Sequence, residues 1–434
     1  MPAIRPLALA AALLLAAALP AAAQAPAAPG GELRVLLVTM GQGDMVWERF
    51  GHNALWIHDP VAGTDRVYNY GVFDFDSPGY WSRFVAGNWL YELGVHDIEG
   101  TLAQYRYLNR SVWAQELNLT TAEKRELRDF LEENARPENR EYLYDYYRDN
   151  CSTRIRDMLD RVLGGRIGEG ARGVPTGTTY RWHTERLVAG DRVSYTGLAG
   201  GLGPAADREI DRWEEMFLPF AVQARVREIR TLDEEGREVP LVAREMTLFE
   251  AVGRDGERAA PPFWTPWFLL VGTAIAGALV LLARALPRSR AARFGYAALA
   301  SLWLLFAAVG GWVLLGLWAL TNHSIAHRNE NLLQLSPLAL PLVLLVPAAA
   351  YGARWALRPA WLLAAAVAAL SVVGFVVQVL PGIDQRNAQV IALALPVNLA
   401  IAWTVRMVLE RSAGNHRAGR TSVAPPRRSR TPIA

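Results

Sequence analysis

Hydrophobic positions along the 434-residue chain follow two different patterns, one in each half. Residues 31–262 alternate between short apolar runs and charged stretches, which is typical of a folded domain containing both strands and helices. Residues 264–410 are dominated by Leu, Ala, Val and Trp. Five segments there reach the ~17–25 residues that a membrane-spanning helix needs. We predict these helices at 265–286, 295–320, 337–353, 360–380 and 388–408.

The first half opens with short segments that carry strand patterns. Residues 33–39 form a continuous apolar run that favours a buried strand, and residues 50–58 alternate in the manner of a half-buried strand beginning near His52. Residues 66–70 follow a turn and predict the partner strand, which carries Asn69. Further short strands are expected at 92–95 and 111–117.

Two helices are predicted after these strands. Thr120 and Glu123 have the spacing of a capping box, and the helix that they open ends near Asn134. Apolar residues recur at helical spacing again from 155 to 162, just after Asp149 and Asn150. Cys151 is therefore expected in the first turn of an amphipathic helix.

The amino terminus and the arginines predict how the chain lies in a membrane. Residues 1–24 have the pattern of a signal peptide, and an uncleaved anchor is the alternative; both export the next domain. Arginines gather between the first and second apolar segments, between the third and fourth, and after the fifth. The positive-inside rule then predicts a bacterial inner-membrane protein with a periplasmic domain, a cytoplasmic carboxyl terminus and a disordered tail over 411–434.

Charge and cysteine content narrow the function. The net charge of +3 comes without a basic cluster containing interleaved aromatic residues, so we expect no nucleic-acid binding. Cys151 is the only cysteine, which excludes an intrachain disulfide. A lone buried cysteine is usually an inert hydrophobic residue, whereas a thiol exposed to the periplasm requires a chemical reason.

The expected position of Cys151 supplies such a reason. Amides at a helix start stabilise a thiolate and can receive the oxyanion that develops during acyl transfer. A histidine on a neighbouring strand can take the thiol proton, and His52 is the best placed. Asn69 on the partner strand could orient the His52 ring, although it could equally be a turn-forming residue. Structural burial of Cys151 remains the alternative to catalysis.

One loop of the membrane half, at 322–333, is unusually polar. His323 and His327 are four residues apart, a spacing that could suit a metal on a helix, but no carboxylate or cysteine completes the set. The alternatives are an ordinary polar loop and a loop that binds a lipid head group or supports the catalytic site. Our hypothesis is that it faces the site from the membrane side.

Several motifs together resemble the Lnb-type bacterial lipoprotein N-acyltransferase family. They include 50–55 (FGHNAL), 68–75 (YNYGVFDF), 115–120 (QELNLT), 144–154 (YDYYRDNCSTR), 215–219 (EMFLP) and 331–333 (NLL). The order of His before Cys also resembles circularly permuted papain-like folds of the NlpC and LRAT kind. The resemblance implies an α+β fold of that type, followed by an all-α five-helix membrane domain.

The same resemblance implies the chemistry. Cys151 would be the nucleophile, His52 the general base and Asn69 a third member. An acyl chain would pass from a membrane phospholipid, through a Cys151 thioester, to the amino-terminal amine of a diacylated lipoprotein. No cofactor or metal is implied, and the residues expected to contact substrate are Tyr70, Asn150, Arg154, His323, Asn329 and Asn331.

Two other functions stay open from the sequence. The same Cys–His pair could belong to a periplasmic cysteine peptidase or amidase that acts on peptidoglycan, although a single anchor would then suffice. The chain could also be a non-enzymatic membrane sensor or assembly factor with Cys151 merely buried.

Overall fold

The computed structural model describes residues 32–254, 256–383 and 385–421, with side chains up to residue 413. The predicted signal peptide and the last part of the predicted tail lie outside these ranges. The described chain consists of a mixed α+β region followed by a helical region. This agrees with the division that the hydrophobic pattern predicts.

A seven-stranded antiparallel sheet forms the centre of the first region, with the strand order β11-β5-β1-β2-β3-β4-β6. Its strands are β1 (Arg34–Met40), β2 (His52–Asp59), β3 (Thr64–Val72), β4 (Leu90–Asp97), β5 (Val112–Leu117), β6 (Glu141–Leu143) and β11 (Val242–Phe249). Two small sheets pair β7 (Pro175–Thr179) with β8 (Glu209–Asp211), and β9 (Arg230–Leu232) with β10 (Glu238–Pro240). All five strands predicted from sequence are confirmed.

The described residues of this region also form eight α-helices, some of which pack on one face of the sheet and some on the other. They are α1 (Tyr80–Ala86), α2 (Ile98–Tyr107), α3 (Thr121–Asn134), α4 (Cys151–Val162), α5 (Tyr180–Val188), α6 (Arg192–Gly201), α7 (Arg212–Glu215) and α8 (Pro219–Glu228). Both predicted helices are confirmed: α3 begins with the expected Thr120–Glu123 capping box, and α4 begins at Cys151. The apolar face of α4 packs against β2 and β3, with Ile155 and Leu159 fully buried against Leu55 and Tyr68. This packing fixes the start of α4 against the sheet.

Five helices make up the second region. They are α9 (Thr265–Ala285), α10 (Arg290–Leu320), α11 (Ala339–Ala350), α12 (Arg354–Val376) and α13 (Ala388–Thr421). Four of them, all except α11, are long and apolar enough to cross a membrane. The last helix also continues to Thr421, into the segment that the sequence assigns to a disordered tail.

The third predicted span is wrong in length. The helix α11 has 12 residues, which gives about 18 Å, against the ~30 Å of a hydrocarbon core. It is preceded by a non-helical segment that passes between two glycines: a Cβ at Gly311 would lie 2.5 Å from the Leu335 carbonyl, and one at Gly374 would lie 2.7 Å from the Leu333 side chain. Protein surrounds this irregular backbone, which is the condition under which it is tolerated at membrane depth.

Buried polar side chains satisfy that segment. The Gln334 amide is fully buried and donates to the Ser371 carbonyl at 3.0 Å. The Asn398 amide donates to the Gln334 carbonyl at 3.0 Å, and its oxygen accepts from the Trp303 indole at 3.0 Å. The third apolar segment is therefore a short helix that follows irregular backbone held by side-chain hydrogen bonds.

The two ends of the helical bundle differ in charge. Arg411 donates to the Ala283 carbonyl at 3.2 Å, so the far end of α13 lies beside the end of α9. The arginine-rich connections between α9 and α10 and between α11 and α12 belong to this same end. At the opposite end, residues 322–331 and Gln385 contact the first region. The arginine-rich segments therefore lie at the end that faces away from the α+β region, while the loops at the other end hold only Arg328 and Arg386.

Candidate functional site

Cys151 is the first residue of α4, and Asn150 caps the helix. The Asn150 side-chain oxygen accepts from the amides of Ser152 and Thr153, each at 2.9 Å. Its amide nitrogen donates to the carbonyls of Tyr146 and Phe217. Two amides expected to face an oxyanion are therefore occupied by the cap, which leaves the Cys151 N–H as the first-turn amide that Asn150 does not bind.

The environment of Cys151 favours the thiolate. Burial is the largest influence on the thiol and raises its pKa, whereas the nearby His52 side chain lowers it. The Asn53 backbone N–H and the Ser152 hydroxyl lower the pKa further, and together these contacts bring it from 9.0 to about 7. A cysteine with this pKa is substantially ionised at neutral pH, unlike an ordinary buried one.

His52 in turn is held by Asn69. The register of β2 and β3 pairs Leu55 with Tyr68, which puts Asn69 and His52 on the same face of the sheet. The His52 Nε2 lies 3.3 Å from the Asn69 Oδ1. Because this amide oxygen only accepts, Nε2 carries the proton and Nδ1 is left as the acceptor of the neutral ring. This is the tautomer that a base needs to take a thiol proton.

The orientation of the Asn69 amide is fixed by its other contacts. Its Nδ2 donates to the Val67 carbonyl at 3.3 Å and lies 3.3 Å from the His96 Nδ1. Gly94, directly opposite Asn69, allows this second contact, since a Cβ there would meet the His96 ring at 2.9 Å. Asn69 thus joins the two histidines and is not a turn residue, since it lies within β3.

Two small features let the helix start approach the strands. Gly71 has a φ of +95°, and a Cβ built on it would lie 3.9 Å from the Cys151 Cβ. Asn53 is fully buried, accepts from the Ser152 hydroxyl at 3.0 Å and donates to the Thr39 hydroxyl at 2.9 Å. These contacts fix α4 relative to β2, and therefore the thiol relative to the imidazole.

Two other histidines of the first region have different partners. His58 lies at the opposite end of β2, with its Nδ1 2.8 Å from the Asp65 carboxylate. His183 is buried on α5 with its Nε2 2.9 Å from the Thr178 hydroxyl. Neither is among the groups with the largest effect on the pKa of Cys151.

Tyr70 and Arg154, both expected to contact substrate, lie beside the helix. The ring of Tyr70 is buried in the core, and its hydroxyl lies 3.6 Å from the Met158 sulfur. Arg154 is partly exposed, pairs with Asp149 at 2.6 Å and stacks over the Tyr142 ring at 3.6 Å. Tyr70 and Arg154 are therefore held in place by neighbouring side chains, and Asn150 is held by its capping contacts. A direct contact with substrate stays a prediction for all three residues.

The polar loop of the helical region docks on the first region. The Asn329 amide, which is buried, donates to the carbonyls of Gly200 and Leu202, and the Asn331 amide donates to Gly200. The His323 ring lies 5.8 Å from the Trp89 ring. Asn329 and Asn331 therefore join the two regions, and His323 lies beside Trp89. Contacts of these three residues with substrate stay predictions.

The loop does not form the helical histidine pair considered from sequence. A 3₁₀ turn separates His323 from His327. The His323 Nδ1 lies 2.9 Å from the Thr321 hydroxyl, and the His327 Nε2 lies 3.0 Å from the Thr321 carbonyl oxygen. Within residues 32–254, 256–383 and 385–413, no group of three or more His, Cys, Asp or Glu side chains is arranged to hold a metal ion.

Sequence reasoning missed Asn53, His96 and the tyrosines near the thiol. Asn53 follows His52 directly, and strand alternation could have assigned it to the helix-facing side of β2. A contact between Asn69 and His96 requires the register of β3 with β4, which no local pattern supplies. Tyr144 is close to the site as well, because its ring lies 3.7 Å from the position of a Gly71 Cβ.

Comparison with known families gives one match. A family model described as the Lnb N-terminal periplasmic domain covers residues 26–185, which includes His52, Asn69 and Cys151. The match ends before the apolar helices begin. No curated protein and no solved structure matched the chain.

Proposed function

We propose, from the membership of residues 26–185 in the Lnb N-terminal periplasmic domain family, that this chain is a membrane-bound lipoprotein N-acyltransferase. Its acyl donor would be a phospholipid and its acceptor the amino-terminal amine of a diacylated lipoprotein. The observation that carries the proposal is the Cys151 thiol with a pKa of about 7, next to an imidazole whose far nitrogen is bound by Asn69. The merely buried cysteine of a sensor or assembly factor does not require this arrangement.

The first step forms a thioester. The thiolate of Cys151 attacks the carbonyl carbon of the lipid ester, and the tetrahedral oxyanion forms near the Cys151 N–H. The bond between this carbon and the ester oxygen then breaks. The imidazolium of His52 gives its proton to the leaving oxygen, which produces a lyso-lipid.

The second step transfers the acyl chain. The amine attacks the thioester carbonyl, the carbon–sulfur bond breaks, and neutral His52 takes the proton that the amine loses. The thiolate of Cys151 is regenerated. The net reaction converts an ester and an amine into an alcohol and an amide, so it needs no cofactor.

The proposed architecture is a permuted papain-like domain. It is supported by the chain order, in which the strand carrying His52 precedes the helix carrying Cys151, and by the packing of α4 on an antiparallel sheet. The same four long apolar helices support an inner-membrane location. With the arginine-rich end of the bundle in the cytoplasm, the catalytic region would be periplasmic.

The test uses bacterial cells depleted of their own lipoprotein N-acyltransferase. These cells would express the wild type, Cys151→Ala, His52→Gln or the control His58→Gln, and mass spectrometry would follow the amino-terminal peptide of one lipoprotein. We expect an added amide-linked acyl chain with the wild type and the control, none with Cys151→Ala, and a fall of about 100-fold or more with His52→Gln.

A second outcome would change the reaction class. If no variant acylates the peptide, and the purified wild type instead cleaves muropeptides in a Cys151-dependent manner, the protein is a peptidoglycan amidase or peptidase. If Cys151→Ala acylates as well as the wild type, Cys151 is not the nucleophile.

A further inference from the structure

An exposed aromatic patch projects from the α+β region around α1. It consists of Trp47, Phe75, Trp81, Phe84 and Val85. Trp81 and Val85 both lie on the seven-residue helix α1, and their side chains are 62% and 65% exposed. Contiguous exposed aromatic residues of this kind usually mark a binding surface.

The patch lies at the level where a membrane helix ends. The helix α10 ends at Leu320, and the Asn322 amide two residues later donates to the Ala86 carbonyl at 2.8 Å. The Asn322 side chain also donates to Asn88 at 2.8 Å. Because Ala86 is the last residue of α1, these bonds fix α1 beside the outer end of a membrane-spanning helix.

Ring contacts connect the patch with the catalytic centre. Phe84 stacks on Trp89 with centroids 5.3 Å apart, and Trp89 stacks on Tyr144 at 6.1 Å. The Tyr144 ring and the Cys151 Cβ both lie within 4 Å of the position of a Gly71 Cβ. A row of neighbouring aromatic rings therefore extends from exposed Trp81, which lies 6.0 Å from Phe84, to Tyr144 beside Cys151.

We propose that the aromatic patch lies in the outer leaflet of the bilayer and guides the acyl chain of a phospholipid along these rings to Cys151. This inference rests on the proposed function for the identity of the lipid as acyl donor. Trp and Phe side chains of a short interfacial helix suit the boundary between head groups and acyl chains. The exposed carboxylates of Asp74 and Asp76 beside Phe75 keep the insertion shallow.

The location can be tested without catalysis, because Cys151 is the only cysteine. Val85→Cys in the Cys151→Ala background carries a single fluorophore on the patch. The matched control is Val61→Cys, an equally apolar and 77% exposed position in the turn at the far end of β2 from His52. Both full-length variants would be reconstituted in phosphatidylethanolamine and phosphatidylglycerol vesicles that contain a lipid with a nitroxide on its acyl chain.

We expect the nitroxide lipid to quench most of the emission from position 85 and little of that from position 61. Aqueous iodide should give the reverse order. Equal iodide quenching at both positions, with no effect of the nitroxide lipid, would overturn the proposal. So would protection at position 85 that depends on protein density and not on lipid, since that would indicate a second copy of the chain.

A second variant tests the delivery of substrate. In the active chain, Trp81→Ser should lower acyl transfer from vesicle phospholipid by about tenfold while leaving hydrolysis of a soluble short-chain ester unchanged. An equal loss with both substrates would show a structural role and refute the delivery path. The quenching result does not depend on activity, so a failure of the proposed reaction and a failure of membrane contact are distinguishable.

Discussion

The reactivity of Cys151 should depend on His52 in a way that reverses with pH. In the wild type the thiol has a pKa of about 7, although burial alone would raise the value above the ordinary 9.0. His52→Gln removes the charge that opposes burial while retaining a polar side chain of similar size. We therefore expect the pKa of Cys151 in the variant to rise to 9.0 or higher.

The magnitude follows from the thiolate fraction and from intrinsic nucleophilicity. At pH 7 the thiol is about half ionised in the wild type and about 1% ionised at a pKa of 9.0, a ratio of roughly 50. A more basic thiolate is intrinsically faster by about 6- to 10-fold for a change of ~2 pKa units. The variant should thus react with iodoacetamide about five- to eightfold more slowly at pH 7 and faster than the wild type at pH 10.

Alkylation rates measured by intact mass between pH 5 and pH 10 provide the assay. Because the protein has one cysteine, Cys151→Ala gives the background, and His58→Gln is the matched control, since its ring pairs with Asp65 at the opposite end of β2 from His52. A His52→Gln profile that keeps its midpoint near pH 7, in a variant with unchanged thermal unfolding, would refute the reasoning.

Three further predictions concern positioning and stability. Asn69→Ala should slow acyl transfer by about tenfold or more without unfolding the chain, measured as kcat at fixed pH, because the candidate base loses the acceptor that fixes its tautomer. Tyr142→Phe should raise Tm, because it removes a buried hydroxyl that has no partner among the described side chains; the expected gain in the free energy of unfolding is about 1–3 kcal/mol. The control Tyr147→Phe should lower Tm, because it removes the 2.8 Å hydrogen bond between the Tyr147 and Thr184 hydroxyls. Arg181→Met should destabilise the chain by about 3–5 kcal/mol in chemical denaturation, because it leaves buried Asp207 unpaired; no loss would contradict this.

The parts of the site that sequence could predict are those that local chemistry determines. The cap at Asn150, the helix start at Cys151 and the strand carrying His52 depend on residues that are near one another in the chain. A continuous apolar run identifies β1, because both of its faces are buried, and alternation identifies β2. The pairing of His52 with Asn69 then needs only the turn between two adjacent strands.

Other parts depend on contacts between distant segments. The neighbour of β5 at the sheet edge is β11, more than a hundred residues later, and no local signal connects them. The third apolar segment is predicted to be a full membrane-spanning helix because Leu and Val favour a membrane whether the backbone is helical or irregular. Gly311 and Gly374 admit irregular backbone there, but this is visible only once the helices that carry them are placed side by side.

The docked loop at Asn329 has a consequence for what the protein can reach. Hydrogen bonds from Asn329 and Asn331 to Gly200, and from Gln385 to Leu202, tie the two regions at several points instead of through one flexible connection. The thiol is thereby held at one height above the helical bundle. Under the proposed function, this fixed height selects substrates by the depth of their reactive bond in the membrane, as well as by the chemistry of that bond.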